Sequence, residues 1–390
     1  MSVLSQFQPT GAGGSGLTNI PTFVNLSAST NQVLDLSEFN IFSLKPTADI
    51  TISTTGLSTT GRALGYLNVI NGGDQNVTFG AEVKWEGGSP ALLSPSTGNR
   101  FDLSNNSASY DSVSFSVASE DTSPLGIAFN NTGTKMYVVG VSNDSVHQYS
   151  LSTAFDLSTA SYDNVSFSVA SEDGAPYDIA FNNTGTKMYV IGNASDSVYQ
   201  YSLSTAFDLS TAGYDSVSFS VASEDANPYD IAFNNDGTKM YVVGNSSDSV
   251  HQYSLSTAFD LSTAGYDSVS FSVASEDANP YGLAFNNDGT KMYMVGPVSD
   301  SVHQYTLSTA FDLSTAGYDS VSFSVASEEG SPIDLAFNNT GTKMYVVGIS
   351  SDSVYQYTTG SVIDALDVIQ LTQYSTDQVL AKLVISGISL

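Results

Sequence analysis

Carboxylate pairs recur along the chain at a fixed position: Glu120-Asp121, Glu172-Asp173, Glu224-Asp225, Glu276-Asp277 and Glu328-Glu329. Single aspartates repeat at a second position, Asp144, Asp196, Asp248, Asp300 and Asp352. Several carboxylate and carbonyl oxygens in one place suit a hard divalent cation, so an acidic rim of this kind is a candidate Ca²⁺ site. The same repetition describes a solvated, self-repelling surface that keeps a repetitive chain soluble, and the charge pattern favours that second reading. No other cofactor is expected.

Tyr177, Tyr229 and Tyr281 follow a proline in three neighbouring copies, where the other two copies carry Leu125 and Ile333. Tyrosines there can stack on a sugar ring with little entropy loss, or they can simply plug the channel; the residues leave both open. His147, His251 and His303 share one repeat position that Tyr199 and Tyr355 fill in the remaining copies. The position therefore requires an aromatic with a polar tip, and rings on separate copies do not converge as a three-ligand zinc site needs.

No G-x-S-x-G elbow, Walker loop, HExxH or EF-hand spacing is present. Nothing singles out one glycosidase-like pair among the many acids. Cysteine is absent, which removes thiolate nucleophiles, thiolate metal sites and disulfides together. The sequence predicts no catalytic residue and no enzyme.

A repeat positions these side chains. Near-identical segments start at Phe101, Phe155, Phe207, Phe259 and Phe311, and self-similarity at such a period signals stacked supersecondary units. Within the copy from Phe207, runs rich in Tyr, Phe, Val and Ile at 216–221, 229–233, 239–243 and 250–255 alternate with Asn, Asp, Gly and Ser clusters, which is the strand signal. The second and third runs join through Asn234-Asn235-Asp236-Gly237-Thr238, where Asp-Gly supplies the positive φ of a tight hairpin. A four-stranded sheet of this size must bury its faces against its neighbours, and radial stacking does so without leaving open edges. The array begins with a lone strand near Val113 and ends after three strands at Tyr357. The expected fold is all-β, a five-bladed propeller whose last blade is closed by the first strand of the array.

The segments K-M-Y-V-V-G and the preceding P-x-x-x-A-F-N-x-x-G-T, beginning at Pro124, Pro176, Pro228, Pro280 and Pro332, resemble YVTN-type, lactonase-like propeller repeats. Outside them, residues 83–92 (VKWEGGSPAL), with strands around Leu34-Asp35-Leu36 and Ile50-Thr51-Ile52, resemble the hairpin of small jelly-roll modules in bacteriophage tail-fibre proteins. Glu86 stands where that pattern has Pro. The module's D-V-L-x-L continuation is matched only after the repeats, at residues 366–371. This resemblance implies a jelly-roll-like β-sandwich interrupted by the propeller: a tether at 1–20, a sandwich from 21–100 plus 359–390, and the propeller at 101–358. Insertion is tolerated where the termini of the inserted unit are close.

Residues 101–358 carry thirty acidic side chains and five basic ones, Lys135, Lys187, Lys239, Lys291 and Lys343. Nucleic acid is excluded as a partner, since phosphate binding needs clustered cations. No run approaches eighteen apolar residues, so no membrane insertion is expected, and no basic-then-apolar secretory leader is read at the start. Together with the phage-like flanks, these features predict a virion structural protein on the particle exterior. The sandwich would contact other virion proteins as a homo-oligomer, and the propeller would bind a host glycan or receptor as a tail-fibre head. Capsid decoration, as a head fibre, is one alternative; a lactonase-like or glycan-cleaving propeller enzyme is the other.

Overall fold

The computed structural model describes residues 101, 103 and 108–359 in full, together with the backbone of nine strands outside them. The expected tether at 1–20 lies outside the described residues. The chain divides into two units, one of residues 1–98 with 362–390 and one of residues 99–361.

The second unit is a ring of five four-stranded antiparallel blades. Blade 1 runs Pro124–Phe129, Lys135–Gly140, Ser145–Leu151 and Ala160–Ser168 from axis to rim. Blade 2 uses Pro176–Phe181, Lys187–Gly192, Ser197–Leu203 and Ala212–Ser220, and blade 3 uses Pro228–Phe233, Lys239–Gly244, Ser249–Leu255 and Ala264–Ser272. Blade 4 has the shortest inner strand, Gly282–Phe285, then Lys291–Gly296, Ser301–Leu307 and Ala316–Ser324. Blade 5 supplies Pro332–Phe337, Lys343–Gly348 and Ser353–Thr358, and its rim strand is Ser109–Ser116 from the start of the array. The five-bladed ring closed by its first strand is therefore observed as expected.

The burial pattern explains why the repeat cannot stand alone. The second strand of each blade is buried along nearly its whole length on both faces. Each apolar cluster accordingly draws residues from two neighbouring blades, as when Tyr137 and Val139 pack with Met188, Val190 and Tyr201. The blades are also tied by hydrogen bonds. The Gln148 side chain accepts from Leu209 N–H at 3.0 Å and donates to Asp163 at 2.8 Å. Gln356 closes the ring in the same way through Leu157 N–H and Asp111.

Two details depart from the sequence reading. Rim strands start earlier than expected, at Ala212 rather than Ser216 in the copy from Phe207, because a bulge between Gln200 and Tyr201 lets Ser216 take a φ of 58°. A short 3₁₀ turn, Leu209–Thr211, precedes that strand, started by Asp208 accepting from Ser210 N–H. In the hairpin it is Gly237 alone, at φ 71°, that takes the left-handed conformation.

The first unit contains a six-stranded and a three-stranded sheet. In the larger, Thr22–Asn25 pairs parallel with Asn40–Leu44, which pairs parallel with Leu64–Ile70. Ala365–Ser375 pairs antiparallel with Leu64–Ile70 and with Gln378–Ser389, and Val83–Trp85 lies parallel to the latter. The smaller sheet joins Gln32–Asp35, Ile50–Thr55 and Val77–Phe79, again in parallel. A jelly roll is built of antiparallel Greek keys, so this pairing does not reproduce the jelly-roll expectation.

Candidate active site at the propeller axis

Inner strands of neighbouring blades touch around the axis in a closed circuit, so a side chain two residues after the repeat proline is surrounded by protein. That residue is Gly126, Asp178, Asp230, Gly282 and Asp334 in blades 1 to 5. The three aspartates are only 3–4% exposed, and one oxygen of each lies within 4.8 Å of the others. The two glycines make that approach possible. A Cβ on Gly126 would fall 2.6 Å from Asp178 Oδ1, and one on Gly282 2.7 Å from Asp334 Cα.

Each carboxyl also bridges to another blade. Asp178 accepts from Ile231 N–H at 3.2 Å, Asp230 from Leu283 N–H at 2.7 Å, and Asp334 from Ile127 N–H at 2.7 Å. Asp334 accepts in addition from Leu335 N–H at 2.5 Å. Burial raises Asp178 and Asp230 well above the usual carboxylate range, and the neighbouring axial carboxylates add to the rise. Burial raises Asp334 too, but hydrogen bonds from Asp230, from the Ile127 and Leu335 N–H groups and from Asp178 oppose it, leaving it at about 6. One site thus holds carboxyls with separated proton affinities, the arrangement that assigns acid and base roles.

Tyr177, Tyr229 and Tyr281 occupy the residue before this position and are brought together. Tyr177 stacks on Tyr229 at 4.6 Å between ring centroids, and Tyr229 on Tyr281 at 4.0 Å with planes 7° apart. The rings are half-buried, whereas Leu125 and Ile333 on the other two blades are buried. Burial raises the Tyr177 and Tyr229 hydroxyls.

The acidic rim is distributed rather than gathered. Asp121, Asp173, Asp225, Asp277 and Glu329 are buried and hold loops together. Asp173 accepts from Ala175 N–H at 2.8 Å, Ser195 N–H at 3.0 Å and Ser195 Oγ at 2.5 Å, and Glu329 accepts from Ser331 N–H, Ser350 N–H and Ser351 Oγ. Their partners Glu120, Glu172, Glu224, Glu276 and Glu328 each accept from a tyrosine hydroxyl of the same blade at 3.2–3.5 Å. Among the described residues, the axial aspartates are the one group of metal-capable side chains that meets. His147 Nε2 faces Asn143, while His251 and His303 face Ser247 and Ser299 within their own loops; burial lowers all three pKa values, so these rings are neutral at pH 7.

Sequence reading did not find the axial trio. Its signal was the exchange of Asp for Gly at one strand position in otherwise matching copies: PLGIAF, PYDIAF, PYDIAF, PYGLAF, PIDLAF.

Residues 118–310, just under half of the chain, match the family model described as "Lactonase, 7-bladed beta-propeller". The matched residues thus resemble lactonase-type propeller blades, here within a ring of five. No curated protein matches it. Similar solved structures include a protein of Bacteroides uniformis provisionally named a 6-phosphogluconolactonase (14% identity, 66% of this chain and 69% of that one, TM-score 0.39). Others are a nidogen/laminin complex (12%, 68% and 86%, TM-score 0.37) and the periplasmic gluconolactonase PpgL of Pseudomonas aeruginosa (15%, 68% and 70%, TM-score 0.36). At these TM-scores the likenesses decide nothing about chemistry. The family match overturns the expectation of a virion structural protein, and with it the expectation of no enzyme, since the blades that read as a binding head match a family of hydrolases.

Proposed function

We propose that the propeller is a lactone-opening hydrolase acting at its axis. The observation that carries this reading is the meeting of Asp178, Asp230 and Asp334 with separated proton affinities, on blades that match a lactonase family. Near neutral pH Asp334 is the ionised member and serves as general base. It takes a proton from water as the water oxygen attacks the lactone carbonyl carbon. Asp178 and Asp230 hold their protons and donate hydrogen bonds to the oxyanion, as a buried neutral carboxylic acid can. The ring C–O bond then breaks, one of these acids protonates the departing alkoxide, and the product is an open hydroxy acid. Overall, one water is added and no cofactor is consumed.

The tyrosine stack is the proposed substrate contact, its ring faces offered to the lactone. Because the aspartates are almost wholly buried, the tyrosines must part to admit substrate. We further propose that the propeller is an insertion within the flanking unit, a reading supported by the pairing of Ala365–Ser375 with Leu64–Ile70 across it.

The test is the rate of lactone hydrolysis by the purified protein and by Asp334→Asn at pH 7. Loss of a general base is expected to lower kcat by ~10²–10⁴. Absence of hydrolysis by the parent protein, or an unimpaired variant, would reject the assignment.

A further inference from the structure

The strand directions sort the charges of the ring onto two faces. Inner strands start at the mouth that carries Tyr177, Tyr229 and Tyr281, and the antiparallel order returns the loops at 141–144, 193–196, 245–248, 297–300 and 349–352 to that same end. The mouth face therefore carries fifteen carboxylates: the rim pairs plus Asp144, Asp196, Asp248, Asp300 and Asp352. The side-chain oxygens Oδ1 of those five aspartates are buried without a hydrogen-bond partner. Among the described residues no Lys or Arg offsets them there. All five lysines of the ring begin second strands at the opposite end, where each is paired with an aspartate, as Lys187 is with Asp215 at 2.5 Å. The histidines near the mouth are neutral by burial.

We infer that this site takes uncharged lactones and rejects anionic ones, phosphorylated sugar lactones in particular. The inference rests on the lactonase reading and sharpens it. Among the described residues this mouth offers a phosphate ester no Lys or Arg, and the summed field of the face opposes its approach. An uncharged sugar ring needs only the tyrosine faces and the axial donors.

The experiment compares kcat/KM of the full chain for one uncharged aldonolactone and for the same lactone bearing a phosphate ester. At ~10 mM ionic strength, where the Debye length is ~30 Å, the uncharged compound is expected to be preferred at least tenfold; at ~0.15 M the gap narrows because only the anion's rate rises. A second variant separates field from fit. Gly174 and Gly330 lie on exposed mouth loops, and an added Cβ meets nothing within 4 Å at the first and only Ser350 Oγ, 3.7 Å away, at the second. Gly174→Lys with Gly330→Lys should raise kcat/KM for the phosphate ester several-fold at low salt and leave the uncharged lactone unchanged. Equal or better turnover of the phosphate ester by the parent protein would overturn the inference and leave the lactonase reading standing. Hydrolysis of neither compound would overturn the lactonase reading. Calorimetric titration with the same two compounds then decides charge selection: tighter binding of the uncharged one supports it, and equal or tighter binding of the ester, or binding of neither, overturns it.

Discussion

The proton count at Asp178, Asp230 and Asp334 couples chemistry to stability. Asp334 sits at about 6 in the fold against ~3.9 in an unfolded chain. Between those values the folded state binds more protons than the unfolded one, so stability falls as pH rises through that window. Burial and neighbouring charge move Asp178 and Asp230 in the same direction. The lysine-paired aspartates act oppositely and at lower pH. At Asp111 burial pushes upward but is outweighed by hydrogen bonds from Lys343, Thr358 and Gln356, so its contribution is lost only as pH falls below the usual carboxylate range. Thermal melts should therefore show Tm declining from about pH 4.5 to pH 7.5. Asp230→Asn keeps an acceptor for Leu283 N–H but cannot ionise. It is expected to flatten that decline and to gain on the order of 1–3 kcal/mol at pH 7.5. A variant with an unchanged pH slope would show that the axial carboxyls do not share protons as described.

At the scale of elements, the blades are held in register by repeated side chains that satisfy backbone groups of the next blade. Gln356 accepts from Leu157 N–H at 2.9 Å and donates to Asp111 at 2.8 Å, and both contacts cross the ring closure. Gln356→Ala leaves a buried N–H without its acceptor, at a cost of about 1–3 kcal/mol. Denaturant unfolding should read that loss, whereas a change below about 0.5 kcal/mol would mean that water replaces the contact without penalty. Most of this level was legible in the sequence. The strand runs, the hairpins and the closing strand follow from period and turn residues, because each copy states them again. The axial trio was not legible in that way. In Pro228–Phe233 the aspartate reads as one polar residue of a short alternating strand, and alternation assigns such a residue to a solvated face. Ring closure buries both faces of inner strands, so Asp230 ends among Asp178 and Asp334 instead of in water. The tyrosines were legible as a mouth feature, but their mutual stacking follows from inner-strand spacing that no single copy contains.

At the scale of the whole molecule, repetition and asymmetry have separate roles. Repetition builds the closed ring and spreads carboxylates evenly over one face. Asymmetry enters at the axis, where two glycines and three aspartates break the five-fold pattern, and at the mouth, where three tyrosines face one leucine and one isoleucine. A symmetric ring of five aspartates could not form, since the Gly126 and Gly282 positions are already filled by the backbone and side chains of neighbouring blades. The proposed chemistry depends on that break in symmetry. Its most direct test is the pH dependence of kcat/KM for hydrolysis of an uncharged lactone by the full chain. The rate should rise as Asp334 loses its proton near about 6, fall again at higher pH as Asp178 and Asp230 ionise, and collapse in Asp334→Asn. A rate no greater than the uncatalysed one, or a profile that Asp334→Asn leaves unchanged, would contradict it.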